Sequence, residues 1–548
     1  MNKPFLSVQL LFLSFYFSAA QNPLVKQWDK TYGGDNYEFN AYVIHTADGG
    51  LMAASSTFSG ISGDVTEPGR GAEDYWMLKM DASGNKQWDK RFGADNYDRL
   101  LAIRQTADQG FILGGESNSV QNGDRSQPNW DPGAYPTQDY WIVKTDSAGN
   151  KQWDKRYGGT FYDLFSDLII TADGGYLLAG YSISDSSGDK TQNKRGGYDC
   201  WLVKIDAQGV KQWDKRYGTF GHDQWPLVRQ TADGGYMVGM SIGGSGGDVT
   251  LPGYWSSDYW IMKTDGQGNK QWEKRYGTNA SDWLGALTPT TDGGYMLLGS
   301  TSAGITGDKS EANHDPADTT NDIWIIKLDT AGNKQWDKSF GGIDDDFIGN
   351  NSSIYQTTDG GYFFIGHSYS PAGGDKSENN LGWVQIWMIK LNAAGNKQWD
   401  KTVLAPGITN FGYSFAVQNG CYTVASSISA DTGGHKTQPA IGRNDIWIVK
   451  FCDTTYSSVN PVQPDKAEVL INPNPFADEV TFNLRKNNLN SAVFKITSVS
   501  GQTVFSKQEN NLSDTYSKTL SLNFLPSGVY AAEVIIGDER IVKLLVKQ

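Results

Sequence analysis

Carboxylates at fixed spacing are the first chemistry this sequence offers. Ten residues after the Trp of each KQWDK-like string stands an acid: Glu38, Asp98, Asp163, Asp223, Asp282 and Asp346, with Thr409 in the seventh place. A second series of Gly-Asp pairs supplies Asp64, Asp124, Asp189, Asp248, Asp308 and Asp375, with His435 in the last. Acids around a common opening could hold a cation or a basic partner. Acids folded back on their own turns accept backbone N–H groups instead. Recurrence in six of seven units favours the turn reading, since a fold determinant belongs in nearly every unit and a site needs only one. Asp344-Asp345-Asp346 and His222-Asp223 are the least repetitive polar clusters, and so the best candidates for the paired acids of a carbohydrate-active hydrolase. The five His (45, 222, 314, 367 and 435) show no metal-ligand spacing. A Gly-x-Ser-x-Gly string at Gly239–Gly243 continues a Gly-rich strand with no helix after it, unlike a nucleophile elbow. No catalytic residue, metal site or cofactor is expected from these patterns, with Ca2+ the one ion left open.

Aromatic residues offer the second chemistry. Fourteen of the 19 Trp fall in two repeated strand series and are expected to pack between structural units. The other five, Trp130, Trp225, Trp255, Trp283 and Trp383, fall in or beside loops, as do Tyr135, Tyr254, Phe161 and Tyr162. Aromatics gathered on one side predict a binding surface for sugar rings or peptide, unless each merely caps its own loop. Trp130, Trp225, Trp255, Trp283, Trp383 and Tyr254 are the candidate ligand contacts.

Repetition fixes the elements that must position these groups. KQWDK-type Trp stand at 28, 88, 153, 213, 272, 336 and 399, and DYW-type Trp at 76, 141, 201, 260, 324, 387 and 447. From each DYW-type Trp to the next KQWDK-type Trp the distance is 12, whereas the loops before DYW vary. Constant spacings mark packed hairpins, and variable ones mark surface loops. Each unit reads as four strands, for example 164–171, 176–183, 201–205 and 211–217, with Gly- and Asp-rich turns between them. Four-stranded units repeated radially make a β-propeller, here with seven blades of about 60 residues. The chain enters on a KQWDK strand (25–32) and leaves the repeats on a DYW strand (445–451), so pairing of the two ends would complete the seventh blade. In strand order the unit resembles the tryptophan–aspartate-repeat propellers, without their signature His and Trp-Asp positions. Over its whole length the body resembles bacterial secreted repeat proteins with DGGY and DxxGN turns. These tight turns fall on one face; the loops after KQWDK and before DYW fall on the other. Cys421 and Cys452 lie on strands expected to pair, which predicts a disulfide, and Cys200 is left as a buried free thiol.

The ends of the chain read as addresses. Residues 1–20 have a basic start, an apolar run and a small-residue cleavage site, the pattern of a secretory signal peptide. The body spans 24–453, a Ser/Thr/Pro-rich linker 454–467, and seven short strands in 468–548 predict an immunoglobulin-like sandwich. Pro473-Asn474-Pro475-Phe476, Ser500-Gly501-Gln502 and Leu525-Pro526-Ser527-Gly528-Val529-Tyr530, in that order, resemble the C-terminal sorting domain of the type IX secretion system of Bacteroidetes. That resemblance implies export across the outer membrane by the translocon and its shuttle proteins, and a secreted or cell-surface product. A formal charge of −14 over 548 residues leaves no basic footprint for nucleic acid. The expected protein is a monomeric, non-catalytic binding or adhesion protein contacting extracellular glycan or protein. The alternative is a secreted hydrolase with acids at the channel mouth.

Overall fold

The computed structural model describes residues 22–455, apart from 132, 134, 135, 255 and 350–352, and residues 468–547, apart from 475, 487, 488, 499–501 and 538. Residues 1–20, expected as a signal peptide, most of the expected linker, Tyr135, Trp255, Pro475 and Gly501 lie outside the described residues. Contacts divide the chain into two units at 454/455.

The first unit is all-β, built from seven antiparallel sheets of four strands, one of them with its innermost strand broken in two. Blade 3 is representative: Asp163–Ile170 innermost, then Tyr176–Ser182, Asp199–Ile205 and, outermost, Lys211–Tyr217. Every residue of the second and third strands is buried, because each blade is covered by a neighbour on both faces. Neighbouring blades touch in sequence order, and Ile408–Gln418 of the last meets Glu38–His45 of the first, closing the ring.

One side-chain bond explains why the two Trp series keep step. The DYW-type indoles are fully buried, and each donates its Nε1–H to the acid of the adjacent KQWDK strand. Trp76 donates to Asp89 at 3.1 Å, Trp201 to Asp214 at 3.1 Å and Trp260 to Glu273 at 2.7 Å. A buried indole N–H left unpaired would be costly, so the acid belongs to the fold. In the closing blade Trp447 donates to Asp29 at 3.1 Å, joining the two ends of the unit. Around that bond Leu24–Tyr32 pairs antiparallel with Asp445–Asp453, Tyr32 opposite Ile446 and Leu24 opposite Asp453. Cys421 and Cys452 face each other in the same blade and form a disulfide; Cys200 is a buried free thiol.

The KQWDK-type Trp behave differently from the fully buried series. Most are half-buried, each lying under the DxxGN turn of the next blade. Gly149 at that turn has φ +78°, and a Cβ there would come within 2.7 Å of the Trp88 ring, so the turn needs glycine on both counts.

The second unit is a seven-stranded sandwich of two sheets. Glu468–Asn472, Glu479–Arg485 and Thr515–Ser521 form one; Thr503–Asn510, Ser491–Ser498, Gly528–Ile536 and Glu539–Lys547 form the other. Phe482, Phe494, Ile496, Val534 and Leu545 fill the space between. Within the Pro-Asn-Pro-Phe string, the Asn474 side chain donates to Leu544 O and accepts from Val546 N, both at 2.8 Å, and so covers the edge of the last strand.

Candidate binding site on the ring axis

The repeated acids do not face the axis. Glu38, Asp98, Asp163, Asp223, Asp282 and Asp346 each open an innermost strand, and each carboxyl is buried. Each accepts the backbone N–H four residues before it, as in Thr219 to Asp223 at 2.6 Å and Gly342 to Asp346 at 2.7 Å. Burial pushes Glu38, Asp223 and Asp282 up to about 7, and Asp98, Asp163 and Asp346 to about 6. None of the six lines the axial cavity. The physical reason is local: the connection into each blade turns tightly and its N–H groups need an acceptor.

The Gly-Asp series acts in the same way. Asp64, Asp189 and Asp248 accept from Gly33, Gly158 and Gly218 at 3.0–3.3 Å, and their own N–H groups donate back to the same glycines. His435 reproduces the clasp, its Nδ1 accepting from Leu404 N at 2.8 Å. Trp130 belongs to this framework too. Its indole covers Gly188 of the next blade, its Nε1–H donates to Asp189 at 3.0 Å, and Arg156 lies over its ring. Tyr254 covers Gly307 and His314 covers Gly374 in the equivalent places. His314 also bridges Asp322 and Asp375 at 2.8 and 3.0 Å, which raises it to about 10.

Trp225 and Trp283 are placed elsewhere, in the wall of a cavity of about 790 Å³ on the ring axis. All seven innermost strands or their immediate continuations contribute, on the side of the long loops. Phe39, Tyr42, Phe165, Phe347 and Tyr413 join the two Trp, and Asn40, Ser166, Arg99 and Glu73 supply polar atoms. Apolar walls with a few convergent polar groups, at this volume, suit a small-molecule or chain-end ligand. Glu73 is its only carboxylate among the described residues; Arg99 Nε lies 3.4 Å from it and Arg99 Nη1 3.6 Å from Glu116. Trp383 is apart from this cavity, 70% exposed and edge-on to Tyr369, which stacks with the cavity residue Phe347.

Most of the innermost strands carry a register shift where they meet the cavity, between Leu100 and Ala102 or Gln224 and Leu227 for instance. Such irregularities re-aim side chains. Asn40 and Trp225 sit at two of them with φ of +59° and +56°. Toward the tight-turn face of the ring, Asp167 is held by Arg104 at 3.0 Å and Arg229 at 2.5 Å, a buried link across blades 2, 3 and 4.

Trp225 and Trp283 were legible from the sequence as non-repeat aromatics, whereas Phe39, Arg99, Phe165 and Tyr413 were missed. A signal existed for some of them: Phe39, Arg99, Trp283 and Phe347 each follow a repeated acid directly, and no two neighbouring units carry the same residue there.

Residues 470–548 match the family model described as a secretion system C-terminal sorting domain. The C-terminal sandwich is therefore a sorting domain of the type IX kind, and the chain is an export substrate. The regulatory protein FlaEY of Caulobacter vibrioides is 24% identical over 184 residues, 32% of this chain and 19% of that protein. The chain thus spans about a fifth of the length of this curated relative. A protein of unknown function from Dyadobacter fermentans superposes with a TM-score of 0.41 at 10% identity, covering 79% of this chain and 99% of that one. The WD40 domain of Neurospora crassa Pan2 gives a TM-score of 0.39 at 10% identity, over 76% and 89%.

Proposed function

We propose that the protein is an exported, non-catalytic binding protein of the cell surface or the surrounding medium. In this reading the long-loop face of the propeller engages extracellular glycan or protein, and the C-terminal domain engages the type IX translocon and its shuttle proteins. The observation that carries it is the axial cavity, walled by aromatic side chains from blades that otherwise repeat one another. A repeating frame needs no such gathering for stability, since its indoles are already buried between blades. The hydrolase alternative requires acids at the channel mouth. Of the acids named for it, Asp223 and Asp346 close their own turns and Asp345 accepts from Asn321 N and Nδ2 at 2.8 and 2.9 Å, while the carboxylate of Glu73 is paired with Arg99.

Glycan arrays and surface pull-downs with the purified chain, with calcium present, test the reading. Selective retention is expected, and two blank screens sink it. For the address, removal of 468–548 is expected to leave the ring in the periplasm; normal secretion of the truncated chain refutes that half.

A further inference from the structure

The axial cavity does not end at its own rim. A second cavity of about 300 Å³ shares Arg99, Leu101, Phe165 and Trp225 with it, and a third of about 260 Å³ shares Arg99, Glu116 and Gln138 with the second. Together they make a one-sided groove running from the axis out over blades 2, 3 and 4. Tyr162, Tyr181 and Tyr198 line its outer part beside Trp225. Tyr181 stands edge-on to both Tyr198 and Trp225, with ring centroids 5.2 and 5.1 Å apart. Arg99, its side chain 49% exposed between Glu73 and Glu116, is common to all three spaces.

Trp225 sits where this groove enters the axis, and its backbone is strained. It has φ of +56°, and Pro226 follows it. A bulky residue in the left-handed region is an outlier, and a following proline disfavours helical conformations further. Strain of this kind persists where the surrounding structure requires it and gathers at ligand sites.

Resting on the binding reading above, we propose that the groove and the axial cavity form one site for a linear, uncharged saccharide chain, inserted end first, with Trp225 and Arg99 at the junction. Ring faces spaced along a groove suit the C–H faces of successive sugar units, and the flat Arg99 fork with its flanking carboxylates suits hydroxyl groups. Charge decides between neutral and acidic chains. One guanidinium faces two carboxylates on a protein of formal charge −14, so a uronate chain meets net repulsion. Asn118 and Gln138 at the outer end add neutral amides, which pair with hydroxyl groups as both donor and acceptor.

The test uses the full chain and neutral gluco-, manno-, xylo- and galacto-oligosaccharides of increasing length, with uronate oligomers and neutral peptides alongside. Binding is read by tryptophan fluorescence and calorimetry. At least one neutral series is expected to bind, tightening with length and then levelling. Trp225→Gly is expected to weaken it at least about tenfold while the protein still melts cooperatively, since glycine accepts the same backbone. Arg99→Ala is expected to act similarly, and Val210→Ser, in a tight turn of the other face, to change nothing. A wild-type affinity in Trp225→Gly, stronger binding of uronates, or no saccharide binding at all overturns the proposal. In the last case capture of a protein or peptide ligand leaves the wider binding reading standing, whereas its absence removes both.

Discussion

Replacing Asp223 with Asn separates a structural acid from a functional one. Asp223 is buried and accepts from Thr219 N at 2.6 Å and Thr219 Oγ1 at 2.8 Å. Burial, with the charges of Asp199 and Asp248 nearby, raises it from an ordinary 3.8 to about 7. The sign follows from linkage. The folded protein keeps a proton here that the unfolded chain releases near pH 3.8, so the favourable contribution is complete below that pH. It is lost as pH rises, until at about 7 the folded state must carry the charge itself. A gap of about three pH units at ~1.4 kcal/mol each puts the ceiling on the order of 4 kcal/mol. Asn keeps the shape: its carbonyl accepts from Thr219 N, its amide donates to Thr219 Oγ1, and it never ionises. The expected outcome is a chemical-denaturation curve close to wild type at pH 4 and displaced to higher stability at pH 8. Glu38→Gln and Asp282→Asn, at the same place in blades 1 and 5, should repeat the pattern. Equal destabilisation at both pH values would refute the reasoning. So would a calcium-dependent rise in wild-type stability that Asp223→Asn abolishes, because that is the behaviour of a cation ligand.

His314→Gln removes the cation between Asp322 and Asp375. A His raised to about 10 contributes fully below pH 6.5 and loses that contribution as pH rises through 10. The variant should melt lower at pH 6 and converge with wild type near pH 11, and a pH-independent difference would contradict the bridge. Asp29→Ala leaves the Trp447 N–H and the Thr437 N–H unpaired at the ring closure, an expected loss of ~2–4 kcal/mol in urea unfolding. Unchanged stability would mean the latch lies elsewhere. Asn474→Ala uncovers Leu544 O and Val546 N, and should lower secreted yield while the ring itself melts as before; undiminished export would show that the motif is not needed to hold that edge.

The repeating part of the molecule was legible because one bond repeats. A Trp donating across to an acid on the next strand requires both residues in every blade, so Trp201 with Asp214 and Trp447 with Asp29 wrote their spacing into the chain. The disulfide partners could be placed because strand pairing is fixed once the hairpin is known. The destination of the acids was less legible. A carboxylate closing a turn and one lining a channel have the same spacing, and only the direction of the Asp223 side chain separates them. Trp130 was misleading in another way. Its type and loop position fit a ligand contact, yet Asp189 of the framework accepts from its N–H edge and Arg156 covers one ring face.

The cavity was hidden because the repeated bonds at Glu73 and Asn321 run through backbone oxygens and fix no side-chain type there. The position after each strand-opening acid holds Phe39, Arg99, Leu164, Gln224, Trp283 and Phe347 in turn, and the next holds Asn40, Leu100, Phe165, Trp225, Leu284 and Ile348. The register shifts at this point release the side chains from the alternation that governs the rest of the strand, so whichever of the two is aimed at the axis can differ from blade to blade. A change there leaves the Trp–acid bond and the turn acceptor intact, but Phe165, Leu284 and Ile348 pack on Gly114, Gly239 and Gly285 of neighbouring blades. Core packing therefore constrains Leu100, Phe165, Leu284 and Ile348, whereas Arg99 and Trp283 are exposed and answer to it less. Arg99 and Trp225 occupy blades on one side of the axis, which is why the groove has a direction although the ring is nearly symmetric. Exchanging Arg99 with Trp283 would carry the guanidinium to blade 5 and leave Trp225, Tyr162, Tyr181 and Tyr198 where they are, which separates the part of Arg99 from that of the rings.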